Sequence, residues 1–330
     1  MIKPNKITKP DSKAFIKNLV TNHNYVFSLV VMTIIGFIAN PNFLRFTNIM
    51  TLMKSASILG VLALGMTLVI LIGQIDLSVG SMLALTGALA VGVYNSTYSI
   101  ILTLIFCLGF GFLLGLFNGF FVGKLRIAGF VVTLATLAGY RSLTVQIGQG
   151  GPLLVDVEPY YASLRNIGYG KFFGIPNLVL IFAFATLLIW ILLTKTKIGR
   201  YIYAVGSNEK ATMLTGVNVD RIKILVFALS GMLAGLAAFM YISQMGAVDS
   251  ATAGRGLETD AIAAVAIGGV SMSGGRGFVQ GTFFGAIILF SINNILTALG
   301  IPAFVNDLIK GGLILIAVVL QQLIRKSNKD

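Results

Sequence analysis

Long apolar runs separated by short polar intervals fill the chain from Tyr25 to Leu323. Each run is near the roughly 20 residues a helix needs to cross hydrocarbon. None alternates polar and apolar residues with the period of two that a membrane barrel strand requires. Helices and closed barrels are the two architectures that satisfy every backbone polar group inside lipid. The pattern therefore predicts an all-α, polytopic transmembrane helical bundle of about ten segments, with eight as the smaller count. The segments are 25–43, 49–72, 77–93, 99–122, 127–145, 176–194, 222–245, 257–270, 278–299 and 303–323. The fifth and eighth are short or glycine-interrupted, so each is either a full crossing or a re-entrant, broken helix lining a cavity.

The polar intervals set an orientation, because cytoplasmic loops retain Lys and Arg. With the N-terminus inside, alternation puts Lys3, Lys6, Lys9, Lys13 and Lys17, then Lys124 and Arg126, then the stretch from Lys195 to Lys223, then Arg325, Lys326 and Lys329 on the cytoplasmic face. The opposite loops are poor in base: 94–98 and 300–302 carry none, and Asp156 and Glu158 offset Arg165 and Lys171. The expected layout is a cytoplasmic tail at 1–24, a transmembrane domain at 25–323 and a cytoplasmic tail at 324–330. Two intervals within the domain, the outer 146–175 and the inner 195–223, are long enough to serve as docking surfaces.

Composition narrows the chemistry. Of 330 residues, 56% are hydrophobic and 11% charged, against about 25% charged in soluble domains. The net charge of +13 follows from the basic inner loops, and no aromatic-interleaved basic face suggests nucleic acid. Cys107 is the single cysteine and lies in an apolar run, so no disulfide or cysteine metal cluster forms within the chain. One histidine, His23, and the absence of HExxH and GxSxG leave no catalytic constellation. Glycine is abundant at 38 residues, and Gly111/Gly115/Gly119, Gly231/Gly235 and Gly281/Gly285 have the four-residue spacing that lets helices approach closely.

Four polar features stand out. The first, Gly268 to Gly277, is glycine-rich, but after Gly269 and Gly274 the Lys and hydroxyl positions of a phosphate-binding loop are Gly275 and Arg276. It reads as a tight turn valued for backbone flexibility, and the chain needs another polypeptide to hydrolyse ATP. The second, Gly73 to Ser81, interrupts two apolar runs and includes Asp76, Ser78 and Gly80; Asp76 is either an N-cap for the next helix or a translocation residue. Glu258 and Asp260 face the same choice, and Asp307 with Lys310 has the spacing of a helix-face ion pair. The third lies between Gly206 and Gly216: Ser207 caps a short helix over 208–214, carrying Asn208 and Ala211 and stopped by Gly216. Too short to be stable alone, that helix must pack on something. The fourth is scattered amides, Asn118, Asn293, Asn294 and Gln280, each either a transient pathway contact or an interhelical hydrogen-bond partner.

GQIDLSVG at 73–80, LFNGFFVGKLRIAGFVVTLATLAGYRSL, FFGIPNLV, the inner loop IGRYIYAVGSNEKATMLTGVNVDRIKILVFALSGMLAGLAA and TDAIAAVAIGGVSMSGGRG, in collinear order, resemble the permease family of ribose-, xylose- and galactose-type bacterial ABC sugar importers. The resemblance implies the permease subunit of an ATP-driven importer of a monosaccharide, most simply ribose, in the bacterial cytoplasmic (inner) membrane with both termini inside. It implies three partners: an ABC ATPase subunit that uses the ATP, a periplasmic or lipid-anchored sugar-binding protein, and a second permease copy or homologue. The permease itself would hold no cofactor. Gly206, Ser207, Asn208, Ala211 and Gly216 would belong to the coupling helix that engages the ATPase. The chain departs from the family at Gln74, where a glycine is usual, and at Arg126-Ile127-Ala128-Gly129-Phe130, where two prolines are usual. Relatives of the family also carry autoinducer-2, nucleosides or branched-chain amino acids. An ion-coupled secondary transporter is the rival from another class, with Asp76 as its ion site.

Overall fold

The computed structural model describes residues 24–156 and 161–302, with isolated positions between 305 and 319. The tenth predicted segment, the Asp307–Lys310 pair, Glu158 and His23 lie outside the described residues or largely so. The apolar runs become helices α1 (Asn24–Ala39), α2 (Phe46–Leu71), α3 (Val79–Thr97), α4 (Ile100–Gly123) and α5 (Gly129–Gly148). After strand β1 (Pro152–Leu154) come α6 (Tyr161–Tyr169), β2 (Lys171–Phe172), β3 (Ile175–Pro176) and α7 (Asn177–Lys195). The second half contains α8 (Lys197–Ser207), α9 (Glu209–Leu214), α10 (Val219–Met245), β4 (Ala247–Asp249), α11 (Leu257–Ile267) and α12 (Val279–Ala298). Among the described residues, 7 helices are long and apolar enough to cross a membrane: α2, α3, α4, α5, α7, α10 and α12.

The two uncertain segments resolve differently. The fifth is α5, an unbroken helix of 20 residues. The eighth is broken: α11 has 11 residues, about 16 Å at 1.5 Å per residue, roughly half the hydrocarbon thickness. An irregular stretch from Ser250 to Gly256 completes that passage.

The bundle is layered from the inside outwards. In α2, 89% of the most apolar window is buried, against 22% in α4. Every residue from Ala56 to Leu71 is buried, so α2 is the central post. It bonds to α12 through Thr67 and Thr282 Oγ1 atoms 2.6 Å apart and receives α7 where the Phe182 ring lies over Gly60. Helix α4 turns Ile101, Ile105, Leu113 and Phe117 outward, as a lipid-facing surface does. Its glycine row does the opposite: methyl groups built on Gly111 and Gly115 collide with the carbonyls of Gly231 and Phe227 in α10. Backbone-to-backbone packing of this kind stands in for the missing hydrophobic drive between helices in lipid.

Two ends follow. At one, β1 pairs antiparallel with β4 in the register Pro152↔Asp249 to Leu154↔Ala247, and Asn95 Nδ2 donates to the Leu154 carbonyl at 2.9 Å. The opposite end gathers the last residues of α2 and α4, the starts of α5 and α10, helices α8 and α9, and the turn from Gly268 to Gly277.

Candidate functional site

The second end carries a compact projection. Thr196 caps α8, its Oγ1 accepting from the Gly199 N–H at 3.2 Å, and Ile202 and Val205 bury one face. Tyr203 donates its hydroxyl to the Gly277 carbonyl at 2.8 Å, and burial pushes its phenol pKa up. A Cβ on Gly206 would strike the Leu71 carbonyl, which already accepts from the Gly275 N–H at 2.9 Å. Gly274 and Gly275 supply φ of +82° and +71°, values L side chains rarely adopt. The glycine-rich turn is therefore a close-packed joint between α2 and α8. Flexibility is the expected purpose; Gly274 and Gly275 instead hold fixed positive φ where a Cβ would also strike Gly73 and Ser207.

One residue of the expected handle shifts. Ser207 does not cap the short helix; it is the last residue of α8. The cap of α9 is Asn208, whose Oδ1 accepts from the Ala211 N–H at 3.0 Å. Ser207 and Asn208 are both good capping types, and the amphipathic α8 continues through Ser207 before the chain extends. Gly216, at φ +84°, follows the helix in the left-handed conformation. Buried Lys223 of α10 donates to Glu209 Oε1 at 2.7 Å and ties α9 down. What α9 presents outward is Lys210, Ala211, Met213 and Leu214, the last 90% exposed.

The interruption between α2 and α3 is a sealed polar knot. Asp76 is fully buried, and its Oδ1 accepts from the Ser78 N–H at 2.9 Å and the Ser78 hydroxyl at 2.6 Å. Ser230 of α10 stands 3.5 Å from Oδ2. Ser78, the N-cap residue of α3, makes no side-chain cap bond, so Asp76 does not cap α3 either: it folds back on the residue before the helix and links it to α10. Asn118 of α4 donates to Ser78 Oγ at 2.9 Å, and the Tyr140 hydroxyl of α5 lies 3.5 Å from Asn118 Oδ1. Gln74 accepts from the Gly129 N–H at 2.8 Å, and Thr133 Oγ1 accepts from the Leu77 N–H at 3.0 Å. A chain of hydrogen bonds from one buried carboxylate thus links four helices: Asp76 to Ser78 and Ser230, Ser78 to Asn118, and Asn118 to Tyr140.

The other amides are placed apart. Asn118 is inside the knot, whereas Asn293 and Asn294 lie half-buried on α12; Gln280 is exposed near the start of α12. Glu258 and Asp260 occupy the first turn of α11, whose cap position is Gly256. There the acids complement the helix dipole, and Glu258 Oε1 accepts from the Gly256 N–H at 3.3 Å. Sequence reasoning passed over Thr133, Tyr140 and Arg141, and named Lys223 and Gln74 without the bonds they make. For Arg141 the signal was available: it is the one charged residue inside the otherwise uncharged helix α5.

The profile of a family described as "Branched-chain amino acid transport system / permease component" matches residues 48–318. The ribose import permease protein of Bacillus subtilis is 41% identical over 89% of this chain and 90% of its own length. That of Escherichia coli K12 is 37% identical over 93% of this chain and 95% of its own. The autoinducer 2 import system permease protein of an Enterobacter species is 38% identical over 94% and 90%. No solved structure matches. With its spanning helices, its packed joint and similarity along nearly its whole length, the chain belongs to the branched-chain amino acid transport system / permease component family.

Proposed function

We propose that this chain is the membrane-spanning permease of an ATP-binding-cassette importer for a ribose-type monosaccharide. A separate ATPase powers it, and a binding protein delivers the sugar. Similarity to two ribose import permeases across about nine-tenths of each chain carries the reading. The end holding α8 and α9 is the cytoplasmic one in this account, since Lys124, Arg126, Lys195, Lys197, Arg200, Lys210 and Arg221 cluster there; both tails, 1–24 and 324–330, lie on the same side. The membrane is then the bacterial inner membrane.

Helix α9 is the handle. Its outward face offers Ala211, Met213 and Leu214 to the ATPase, while Gly206 and the Lys223–Glu209 pair fix its base. ATP binding moves the handle, α10 moves with it, and the glycine-locked α4 follows as one rigid body, exchanging inward for outward access. The loop at 146–175 receives the loaded binding protein, and a second copy or homologue completes the pathway. Changing Leu214 to Asp alters a side chain that packs on nothing, so the fold survives; ATPase co-purification falls about tenfold, as for a central interface anchor. Unchanged co-purification and uptake would remove α9 from this role. Competition of labelled ribose uptake by autoinducer-2 distinguishes the second cargo that the Enterobacter relative suggests.

A further inference from the structure

A cavity of about 300 Å³ opens between α3, α5 and the broken approach to α11, lined by Ser81, Leu137, Arg141, Arg255 and Glu258. That size is at the small end of ligand sites. Arg141 lies well inside the spanning helix α5 (Gly129–Gly148), about 18 Å along the axis from its first residue. A cation at such depth is costly and persists where it has work to do.

Each charge is anchored and aimed. Arg141 Nη1 donates to the Ala253 carbonyl at 2.6 Å, and Arg255 Nε donates to the Ala251 carbonyl at 2.6 Å. A guanidinium has five N–H donors, so one bond each fixes these two groups and leaves donors over. Glu258 Oε1 stands 3.3 Å from the Gly256 N–H, and its carboxylate lies over Gly80, where any side chain would strike it. Gly80 also meets the Gly254 carbonyl, so the irregular stretch is pinned against the start of α3. Among the described residues the direct ion pairs are Arg126–Asp220 and Lys223–Glu209. The two guanidiniums and the carboxylate therefore line one cavity without neutralising each other by contact.

We propose that this cavity is a transit site for an uncharged polyol: Arg141 and Arg255 donate to hydroxyl oxygens and Glu258 accepts hydroxyl protons. A hydroxyl is both donor and acceptor, so a sugar satisfies the arginines and Glu258 together, whereas a solute without hydroxyls satisfies neither kind of group. Arg255 is exposed at the rim and keeps that side of the site wet, so the grip stays weak, which a translocation site requires so that cargo leaves as readily as it enters. The choice of a sugar rests on the import reading above; the site itself rests on the cavity.

The test uses the full chain in membrane vesicles with Leu137→Cys, and Ser81→Cys as a second, nearly isosteric reporter. The native Cys107 is fully buried, so labelling by a small methanethiosulfonate reports on the introduced thiol. Saturating ribose should slow labelling several-fold, a similarly sized solute without hydroxyls should not, and Glu258→Gln should weaken ribose protection about tenfold, the worth of a hydrogen bond to a charged group. Absence of labelling at both positions, absence of ribose protection, or equal protection by the solute without hydroxyls overturns the proposal. ATP-driven ribose uptake by the assembled complex is measured in parallel. Uptake without protection sinks the cavity alone, whereas protection without any ATPase association leaves the cavity standing and sinks the import reading.

Discussion

Among the described residues, two glycine-flanked polar segments interrupt the helical passages, and they are built in opposite ways. At Gly73 to Ser81, the carboxylate of Asp76 is fully buried and bonded to Ser78 and Ser230, with Asn118 donating to Ser78 behind it. At Gly254 to Glu258, two arginines and a glutamate face a cavity. The segments touch, Gly80 against Gly254. The first spends its polar groups on joining helices α3, α4, α5 and α10, and the second keeps its charges turned to a space a solute can enter. An irregular break in lipid is tolerated when it is buried in protein or lines a cavity, and these two segments do one each, side by side.

The largest effect should come from forcing the two breaks apart. Gly80→Val drives a branched side chain into the Gly254 carbonyl and the Glu258 carboxylate, destabilising by about 3 kcal/mol or more, the upper range for overpacking. Thermal aggregation of detergent-purified protein checks it, and a wild-type transition would mean the two segments do not abut.

Next comes the sealed knot. Asp76→Ala strands the Ser78 N–H and hydroxyl in a buried site, at about 1–3 kcal/mol. Asp76→Asn keeps an acceptor for both and should cost less. Equal losses would show that charge, not hydrogen-bond acceptance, holds the knot.

How much of this was legible beforehand depended on the length of the signal. The run at 49–72 became α2 (Phe46–Leu71) and the run at 99–122 became α4 (Ile100–Gly123), because some twenty apolar residues leave lipid-spanning helix as the outcome. The cap of α9 was misplaced by one residue, Ser207 for Asn208, since only the amphipathic face of α8 tells which of two adjacent capping types ends the helix. The knot's partners Thr133, Tyr140 and Ser230 were invisible: they come from distant segments, and their pairing with Asp76 and its neighbours is a property of helix packing. Arg141 was overlooked because averaging over an apolar window dilutes one cation.

Smaller still is the tie beneath the handle. Lys223→Ala removes the partner of Glu209, which is 41% exposed and can turn to water, so stability should fall by only about 1 kcal/mol, as for exposed pairs. Coupling should suffer more than stability: binding-protein-stimulated ATPase activity and uptake should drop together while the folded yield holds. A variant with normal stimulated uptake would show that motion reaches α10 by another route.

The smallest effect concerns acid. Asp249, at the β1–β4 end, accepts from the Thr252 N–H and, at 2.9 Å, the Ala251 N–H. The Thr252 amide, then its side chain, and the nearby Arg255 hold its carboxyl below the usual aspartate value of 3.8. A depressed folded-state pKa adds stability above the unfolded value and loses it as pH falls through the folded one. The turn after β4 should therefore be indifferent from neutrality down to about pH 5 and loosen only below the aspartate range. Hydrogen exchange at Ala251 and Thr252 measures this; loosening already near pH 6 would contradict it.

One measurement goes to the centre of the account, the transport driven through α9 by another polypeptide's nucleotide cycle. Proteoliposomes holding the purified permease are loaded with and without its ATPase subunit, ATP and sugar-loaded binding protein, with an ion gradient imposed in separate vesicles. Accumulation of ribose against its gradient should require the ATPase and ATP together and should vanish with Leu214→Asp. Accumulation by the permease alone, driven by the ion gradient, would contradict it.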